Sequence, residues 1–151
     1  MRRWRTTGNG SKGFTLVELV VVMTIITILA GAVAIQVTNR IRHAKRARAV
    51  QDIYTLETAL DLYAADNGNP PTTQQGLEAL RNEPSSAPAP QNWNGPYVKK
   101  AVPADPWGSE YVYRSPGQLN PDSYDLISYG EDGRPGGDNE FTADITNADE
   151  Q

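Results

Sequence analysis

The chain has 151 residues, with 14 lysines and arginines against 18 acids and a formal charge of −4. Its mean hydropathy is −0.53, so the chain is markedly polar outside one long apolar segment near the N-terminus. About 110 residues remain beyond that segment, which is enough for one small domain. The absence of cysteine excludes disulfides, thiolate metal sites and cysteine nucleophiles. The mostly acidic region after Pro103 argues against nucleic acid as a partner.

A basic leader precedes the apolar segment, and its charged residues are Arg2, Arg3, Arg5 and Lys12. Positive flanks resist translocation, so the N-terminus is expected to stay in the cytoplasm. The apolar run from Phe14 to Val37 is long enough to cross a bilayer, which needs about 20 apolar residues. A secretory signal peptide is an alternative, because Ala30, Ala32 and Ala34 resemble the small residues of a cleavage site.

One acid, Glu18, lies just inside the apolar run. A charge inside a membrane-spanning segment costs roughly 2.5–3.5 kcal/mol on insertion scales. A plain signal anchor has no use for such an acid, and the run is longer than the apolar region of an ordinary signal peptide. Both features oppose a secretory signal and favour a processing site before the run, at Gly13.

The residues from Gly13 to Glu18, GFTLVE, resemble the processing motif of type IV pilins and type II secretion pseudopilins. The resemblance implies that a prepilin peptidase cleaves after Gly13 and that the new N-terminal residue, Phe14, is N-methylated. It also implies that Glu18 pairs with the N-terminus of a neighbouring subunit during assembly. An ion pair in a medium of low dielectric offsets much of the cost of a buried charge when its geometry is good.

A single long helix is predicted from the apolar run to Asn67, because no proline or strong breaker interrupts this stretch. Its second half carries an apolar face at helical spacing, formed by Ala49, Ile53, Leu56, Leu60 and Tyr63, with Val50, Tyr54 and Leu62 expected to widen it. Asn67 and Gly68 give a stop signal. The mature helix would have roughly 54 residues and measure about 80 Å. Its first half would lie in the membrane or a filament core, and its second half would pack on a domain.

A basic segment follows the apolar run, and its charged residues are Arg40, Arg42, Lys45, Arg46 and Arg48. The family resemblance places this segment in the periplasm, where it would contact acidic surfaces of neighbouring subunits. A solvated helix surface near lipid head groups is the alternative, and the residues alone leave both open. His43 is the only histidine and is expected to be a surface residue, not a catalyst.

The rest of the chain predicts a small α+β domain. One or two helical turns are expected near Leu77 to Leu80, followed by a loop from 83 to 91. The segment from Trp93 to Lys100 is expected to begin as a turn and to end as a short strand. Asp105 to Gly108 reads as a turn, while 111–114 and 124–129 read as paired strands. Trp93, Trp107 and Tyr111 are expected to be structural anchors. The result is an antiparallel sheet of about three strands against the helix.

The segment from Tyr129 to Asp144 combines glycines with the oxygen-bearing residues Asp132, Asp138, Asn139 and Asp144. Calcium takes six to eight oxygen ligands and tolerates irregular geometry. The spacing does not match an EF-hand, so the composition alone leaves open both calcium binding and a merely solvated acidic loop.

Four segments, TTQQGLEAL, NWNGPYVKK, PADPWGSEYVY and YDLISYGEDGRPGGDNEFTADI, resemble the major (G-type) pseudopilin of the type II secretion system. The resemblance runs from Gly13 to about Ile145 and implies a pilin-like fold with a C-terminal calcium loop. It implies Asp132 as a side-chain ligand and Tyr129 and Arg134 as carbonyl ligands, with Asp138, Asn139 and Asp144 as further candidates. The ion would hold the loop where other pilins use a disulfide. The chain departs from many relatives at Ile35, where they have proline.

The predicted function is that of a structural polymer subunit of a Gram-negative bacterium, with a leader (1–13), a membrane or filament-core helix half (14–37) and a periplasmic domain (38–151). The resemblance implies a homo-oligomeric helical filament, the pseudopilus, reached from a single-pass form in the inner membrane. Implied partners are minor pseudopilins, the inner-membrane assembly platform, the prepilin peptidase and membrane lipid before assembly. A type IV pilin of another pilus is one alternative. A membrane-anchored enzyme is disfavoured, because no Ser/His/Asp set exists beyond His43.

Overall fold

The computed structural model describes residues 13–150, apart from the side chains at positions 32, 34, 35, 149 and 150. The basic leader and the side chain of Ile35 therefore lie outside the described residues. One long helix, α1, spans Leu16–Asn67, and a 3-10 turn follows at Leu77–Leu80. The strands are β1 (Val112–Arg114), β2 (Asp125–Ser128) and β3 (Ile145–Thr146), with short 3-10 turns at Gly130–Asp132 and Asn147–Glu150. The order of elements is that of an α+β domain, as predicted.

Both ends of α1 have a local cause in the sequence. At the start, the Thr15 hydroxyl accepts a hydrogen bond from the Glu18 N–H at 3.2 Å, which satisfies one of the free donors of the first turn. At the end, Gly68 adopts a left-handed conformation (φ 85°), and its N–H donates to the Ala64 carbonyl at 2.7 Å. The predicted stop at Asn67 is therefore confirmed.

The chain forms two compact units, one ending at Arg40 and one beginning at Ile41. In the first unit the large apolar side chains are exposed, including Leu16 at 81%. The hydroxyls of Thr24 and Thr27 donate to the Val20 and Met23 carbonyls at 2.8 Å, so these polar groups are satisfied within the helix. By length and composition alone, α1 is apolar enough to cross a membrane.

In the second unit, one stripe of α1 forms the core together with the sheet. The predicted face is buried, and it packs with Tyr113, Leu126 and Ile145 of the sheet and with Tyr111 and Tyr124, which directly precede β1 and β2. The predicted widening of that face is wrong, because Val50, Tyr54 and Leu62 remain 36%, 58% and 54% exposed. At 100° per residue, Leu62 lies about 200° around the helix from the buried Leu60. The apolar face is therefore a narrow stripe.

The sheet has the strand order β1-β2-β3, and both pairs are antiparallel. Val112 pairs with Ile127, which in turn pairs with Thr146. The short strand predicted at the end of the segment from Trp93 to Lys100 is wrong, and the third strand is Ile145–Thr146. The N–H groups of Tyr97 and Val98 donate to the Leu80 carbonyl at 2.7 and 3.3 Å, which ties that segment to the 3-10 turn instead of the sheet. A two-residue strand is too short to show a period of its own.

Candidate functional site

The N-terminal end of α1 combines four features within six residues. Gly13 and Phe14 precede the helix, Thr15 caps it, and Glu18 lies in its first turn. The spacing Thr-x-x-Glu is that of a capping box, in which the acid occupies the third helical position. Sequence reasoning missed this motif, although the spacing alone could have revealed it. An acid in the first turn also opposes the helix dipole favourably, so the helix itself explains part of why Glu18 is there.

The second candidate site is the loop between β2 and β3, called here the acidic loop and comprising residues 129–144. It folds back on itself, because Gly130 lies against the backbone of 141–143. A Cβ at Gly130 would meet the carbonyl oxygens of Phe141, Ala143 and Thr142 at 3.1, 3.3 and 3.5 Å. A Cβ at Gly137 would collide with the Thr142 carbonyl. Glycine at both positions therefore permits a close approach that gathers carbonyl oxygens into a cradle beside Gly130.

The acids of the loop serve different purposes. The Asp132 carboxylate accepts the Arg134 N–H at 3.2 Å, and the Asp144 carboxylate accepts the Gly136 N–H at 3.1 and 3.0 Å. The Asn139 side-chain oxygen accepts the N–H groups of Phe141 and Thr142, at 2.9 and 3.2 Å, which is an Asx turn. Asp138 is exposed. The structure thus pins one carboxylate near each end of the loop and uses the predicted ligand Asn139 to shape a turn.

The chemistry of these donors fits calcium. Among the described residues, no three acidic, histidine or cysteine side chains come together as a metal cluster. A site here would therefore rest on two carboxylates and on main-chain oxygens. Each carboxylate still offers lone pairs beyond those used by the backbone N–H groups. Calcium accepts such mixed oxygen sets at irregular geometry, whereas zinc prefers nitrogen and sulfur ligands. Held in this way, the ion would supply a cross-link between the two ends of the loop.

Two buried acids support the acidic loop and the hairpin, and sequence reasoning did not single them out. Asp105 accepts the N–H groups of Trp107 and Ser109 at 3.1 and 2.8 Å, and the Ser128 hydroxyl at 2.7 Å. The Ser128 oxygen in turn accepts the Gly130 N–H at 3.3 Å, so the turn at 105–108 is joined to the start of the loop. The second acid, Asp125, holds the connection between β1 and β2.

The basic segment of α1 is used partly within the chain. Arg42 donates to Glu131, and Arg46 donates to the Ala143 carbonyl at 3.0 Å. Arg48 lies 3.6 Å from Asp52, one helical turn later. Sequence reasoning weighed neighbouring subunits against lipid head groups, and for Arg42 and Arg46 the structure adds a third use. His43 is a surface residue, as predicted, with a side chain that is 55% exposed.

An apolar N-terminal helix half, an amphipathic continuation and a small antiparallel sheet define a pilin-like protein. Residues 8–34 match the prokaryotic N-terminal methylation motif. The fold is similar to the crystal structure of the major pseudopilin from the type 2 secretion system of enterohaemorrhagic Escherichia coli, with a TM-score of 0.61. That likeness has 37% sequence identity and covers 74% of this chain and 93% of the other.

The particular family follows from the rest of the chain. Residues 36–148 match the model for protein G of the type II secretion system. The chain is 49% identical over 138 residues to the type II secretion system core protein G of Pseudomonas aeruginosa, covering 91% of this chain and 94% of that protein. It is 44% identical over 131 residues to the protein of the same name in Escherichia coli K12, covering 87% and 89%. The chain belongs to the type II secretion system protein G family.

This membership confirms the predicted resemblance and separates the alternatives. The chain is a major pseudopilin, a structural subunit of the secretion system and not an enzyme. The matches support secretion over a pilus for adhesion, motility or DNA uptake.

Proposed function

We propose that this chain polymerises through α1 into a helical periplasmic pseudopilus that helps to export folded proteins across the outer membrane. The observation that carries the proposal is the apolar half of α1, whose described large side chains from Phe14 to Val37 are all exposed within one copy. Soluble monomers rarely expose contiguous apolar patches above a few hundred Å². Such a surface needs lipid before assembly and other copies of the helix afterwards.

The proposed topology follows from charge. The basic leader stays in the cytoplasm, α1 crosses the inner membrane once with its apolar half (14–37), and residues 38–151 lie in the periplasm. The proposed partners are the prepilin peptidase, which removes residues 1–13, then minor pseudopilins and the inner-membrane assembly platform. The methylation-motif match at 8–34 supports the processing step, because it spans the junction at Gly13 and Phe14.

Processing is tested by the mass of the mature protein. Co-expression with a prepilin peptidase should give a chain that starts at Phe14 and carries one added methyl group, measured by intact-mass spectrometry. Gly13→Val should retain the leader, because a branched side chain then occupies the cleavage position. A mature terminus between Ala30 and Ala34 would instead indicate a secretory signal peptide and contradict the proposal.

We also propose that the acidic loop binds a structural calcium ion through the carboxylates of Asp132 and Asp144. Main-chain oxygens complete the set, with those of Tyr129 and Arg134 as candidates. Asp138 is a further candidate for a side-chain ligand, and Asn139 contributes mainly by holding its turn. The carbonyl cradle beside Gly130 and the position of one carboxylate near each end of the loop support this assignment.

Calcium removal should lower the thermal midpoint of the full-length protein in detergent. Ligand at 100 times its dissociation constant stabilises the folded state by about 2.7 kcal/mol, and each kcal/mol shifts the midpoint of a small domain by about 4–8 °C. A fall of order 10 °C in EGTA is therefore expected, measured by tryptophan fluorescence. Asp132→Asn should melt at the same temperature with calcium and with EGTA. An unchanged wild-type melt in EGTA would refute structural calcium.

A further inference from the structure

We propose that Arg42, His43 and Arg46 of α1, together with Phe141, form a clasp that positions the acidic loop for its ion. The clasp itself stands on contacts within the chain, and only its effect on calcium rests on the proposed function. None of the four side chains is a proposed calcium ligand. They would act through the loop backbone, as positioning residues.

The clasp centres on the Phe141 ring. The Arg42 guanidinium carbon lies 4.3 Å from the ring centroid, and its Nε donates to the Glu131 carboxylate at 2.8 Å. The His43 ring meets the same phenyl ring edge-on, with centroids 5.0 Å apart and planes inclined by 66°. An arginine that faces an aromatic ring while it donates to a carboxylate makes two favourable contacts with one planar group. Phe141 is thus held by two residues of the helix.

Two further contacts extend the clasp along the loop. The His43 Nδ1 lies 3.4 Å from a Glu140 carboxylate oxygen. One helical turn after Arg42, the Arg46 guanidinium donates to the Ala143 carbonyl at 3.0 Å. The helix α1 therefore contacts the acidic loop near its start, at Glu131, and near its end, at 140–143.

The held residues are those that build the carbonyl cradle. The Phe141 carbonyl faces Gly130 and accepts the Glu131 N–H at 3.2 Å, while its ring lies in the clasp. The Ala143 carbonyl faces Gly130 and accepts from Arg46. Ala143 directly precedes the proposed ligand Asp144. Fixing the backbone of 141–143 before the ion arrives therefore lowers the entropy lost on binding. Residues that orient metal ligands without touching the metal typically change affinity by 10–100-fold when they are mutated.

The test compares Phe141→Ala and Arg42→Ala with the wild type, using calcium chloride titrated calorimetrically into the full-length protein in detergent. Both variants should bind calcium about tenfold more weakly. Arg42→Ala is the more decisive variant. Loss of a positive charge beside a cation site would by itself strengthen calcium binding, whereas loss of the clasp would weaken it. Arg48→Ala is the matched control: it removes the same charge from the same helix at a residue paired with Asp52, and its affinity should stay within twofold of wild type.

Hydrogen exchange in EGTA measures the effect of the clasp on the acidic loop when no calcium is bound. Amides of residues 131–143 should exchange about tenfold faster in both clasp variants, while those of the buried helix face near Leu60 stay unchanged. If the wild type binds calcium and the clasp variants bind it equally well, the positioning role is overturned. If the wild type binds no calcium, the calcium proposal fails, but the clasp does not fail with it. Hydrogen exchange then decides whether the clasp holds the loop. Faster exchange confined to the loop supports the clasp, and unchanged exchange overturns it.

Discussion

Replacing Glu18 with glutamine is expected to abolish filament assembly while membrane insertion proceeds. Cleavage after Gly13 would create an amine at Phe14, and the Glu18 carboxylate would be its partner on a neighbouring copy. Removing one member of a buried ion pair costs about 3–5 kcal/mol, because the other charge is left uncompensated. Insertion should not suffer, since the acid itself opposes insertion by roughly 2.5–3.5 kcal/mol. Membrane fractionation and electron microscopy of sheared filaments measure the two outcomes.

The capping-box spacing of Thr15 and Glu18 calls for a control of its own. Glutamine retains the third-position partner of a capping box, so Glu18→Gln removes the charge and keeps the cap. Glu18→Ala and Glu18→Val remove both and should also insert without assembling. Thr15→Ala removes the cap seen at the Glu18 N–H and should cost only about 1 kcal/mol at the helix start, leaving filaments intact. Normal filaments from Glu18→Gln would contradict the proposed pairing of Glu18 with the N-terminal amine of a neighbouring copy.

Replacing Asp125 with alanine is expected to lower the free energy of unfolding of the second compact unit, which begins at Ile41, by at least about 3 kcal/mol. The side chain is fully buried, and its carboxylate accepts the N–H groups of Gln118, Leu119 and Asn120 at 2.5–3.1 Å. Hydrogen bonds to a charged group are worth about 1.5–3 kcal/mol each, and alanine removes all of them. Urea unfolding of the full-length protein in detergent measures the change. Asp122→Ala, an exposed acid in the same connection, should stay within about 0.5 kcal/mol of wild type.

The pH dependence of stability provides an independent check on Asp125. Burial by itself would raise the pKa of the Asp125 carboxyl. The hydrogen bonds from the N–H groups of Leu119, Asn120 and Gln118 together lower that pKa by more than burial raises it, so it lies below its ordinary value. A depressed pKa contributes stability that is fully present above the unfolded value of about 3.9 and is lost as the pH falls through the folded value. The urea midpoint of the wild type should therefore drop below about pH 4. If the urea midpoint of Asp125→Asn falls with decreasing pH as steeply as that of the wild type, the loss of stability comes from other carboxyls and not from Asp125.

Without cysteine, the second compact unit uses short polar side chains to tie distant segments together. Asp105 joins its turn to Ser128, and Asp125 holds the β1–β2 connection. Asn147 accepts the Leu126 N–H at 2.8 Å and donates to the Tyr124 carbonyl at 3.1 Å, which fixes the start of the segment after β3 to β2 and to the residue before it. Every buried side-chain nitrogen and oxygen among the described residues has a hydrogen-bond partner. Buried polar groups that are fully satisfied can specify a unique arrangement, because the alternatives would leave them unpaired.

Local signals in the sequence predicted the features that depend on nearest neighbours. The stripe through Leu56 and Leu60 was visible because a helix repeats every 3.6 residues, and the stop at Asn67 was visible because Gly68 tolerates a left-handed backbone. The strands at 112–114 and 125–128 were predicted within one residue or so, since β-branched and aromatic residues cluster there. The motif from Gly13 to Glu18 identified the pilin-like class before any tertiary contact was known.

Tertiary structure alone decided which residues met across the chain. β3 has two residues and exists only because β2 presents a free edge to Ile145 and Thr146. Arg42 and Phe141 are 99 positions apart, so neither periodicity nor turn chemistry could bring them together. The burial of Asp125 likewise depends on where the hairpin folds, because a carboxylate tolerates the interior only where backbone donors converge on it. The sequence by itself thus determined the pilin-like class of the protein, the long helix and the apolar half of that helix. The closure of the acidic loop depends on contacts between residues far apart in the chain, and only the folded chain creates them.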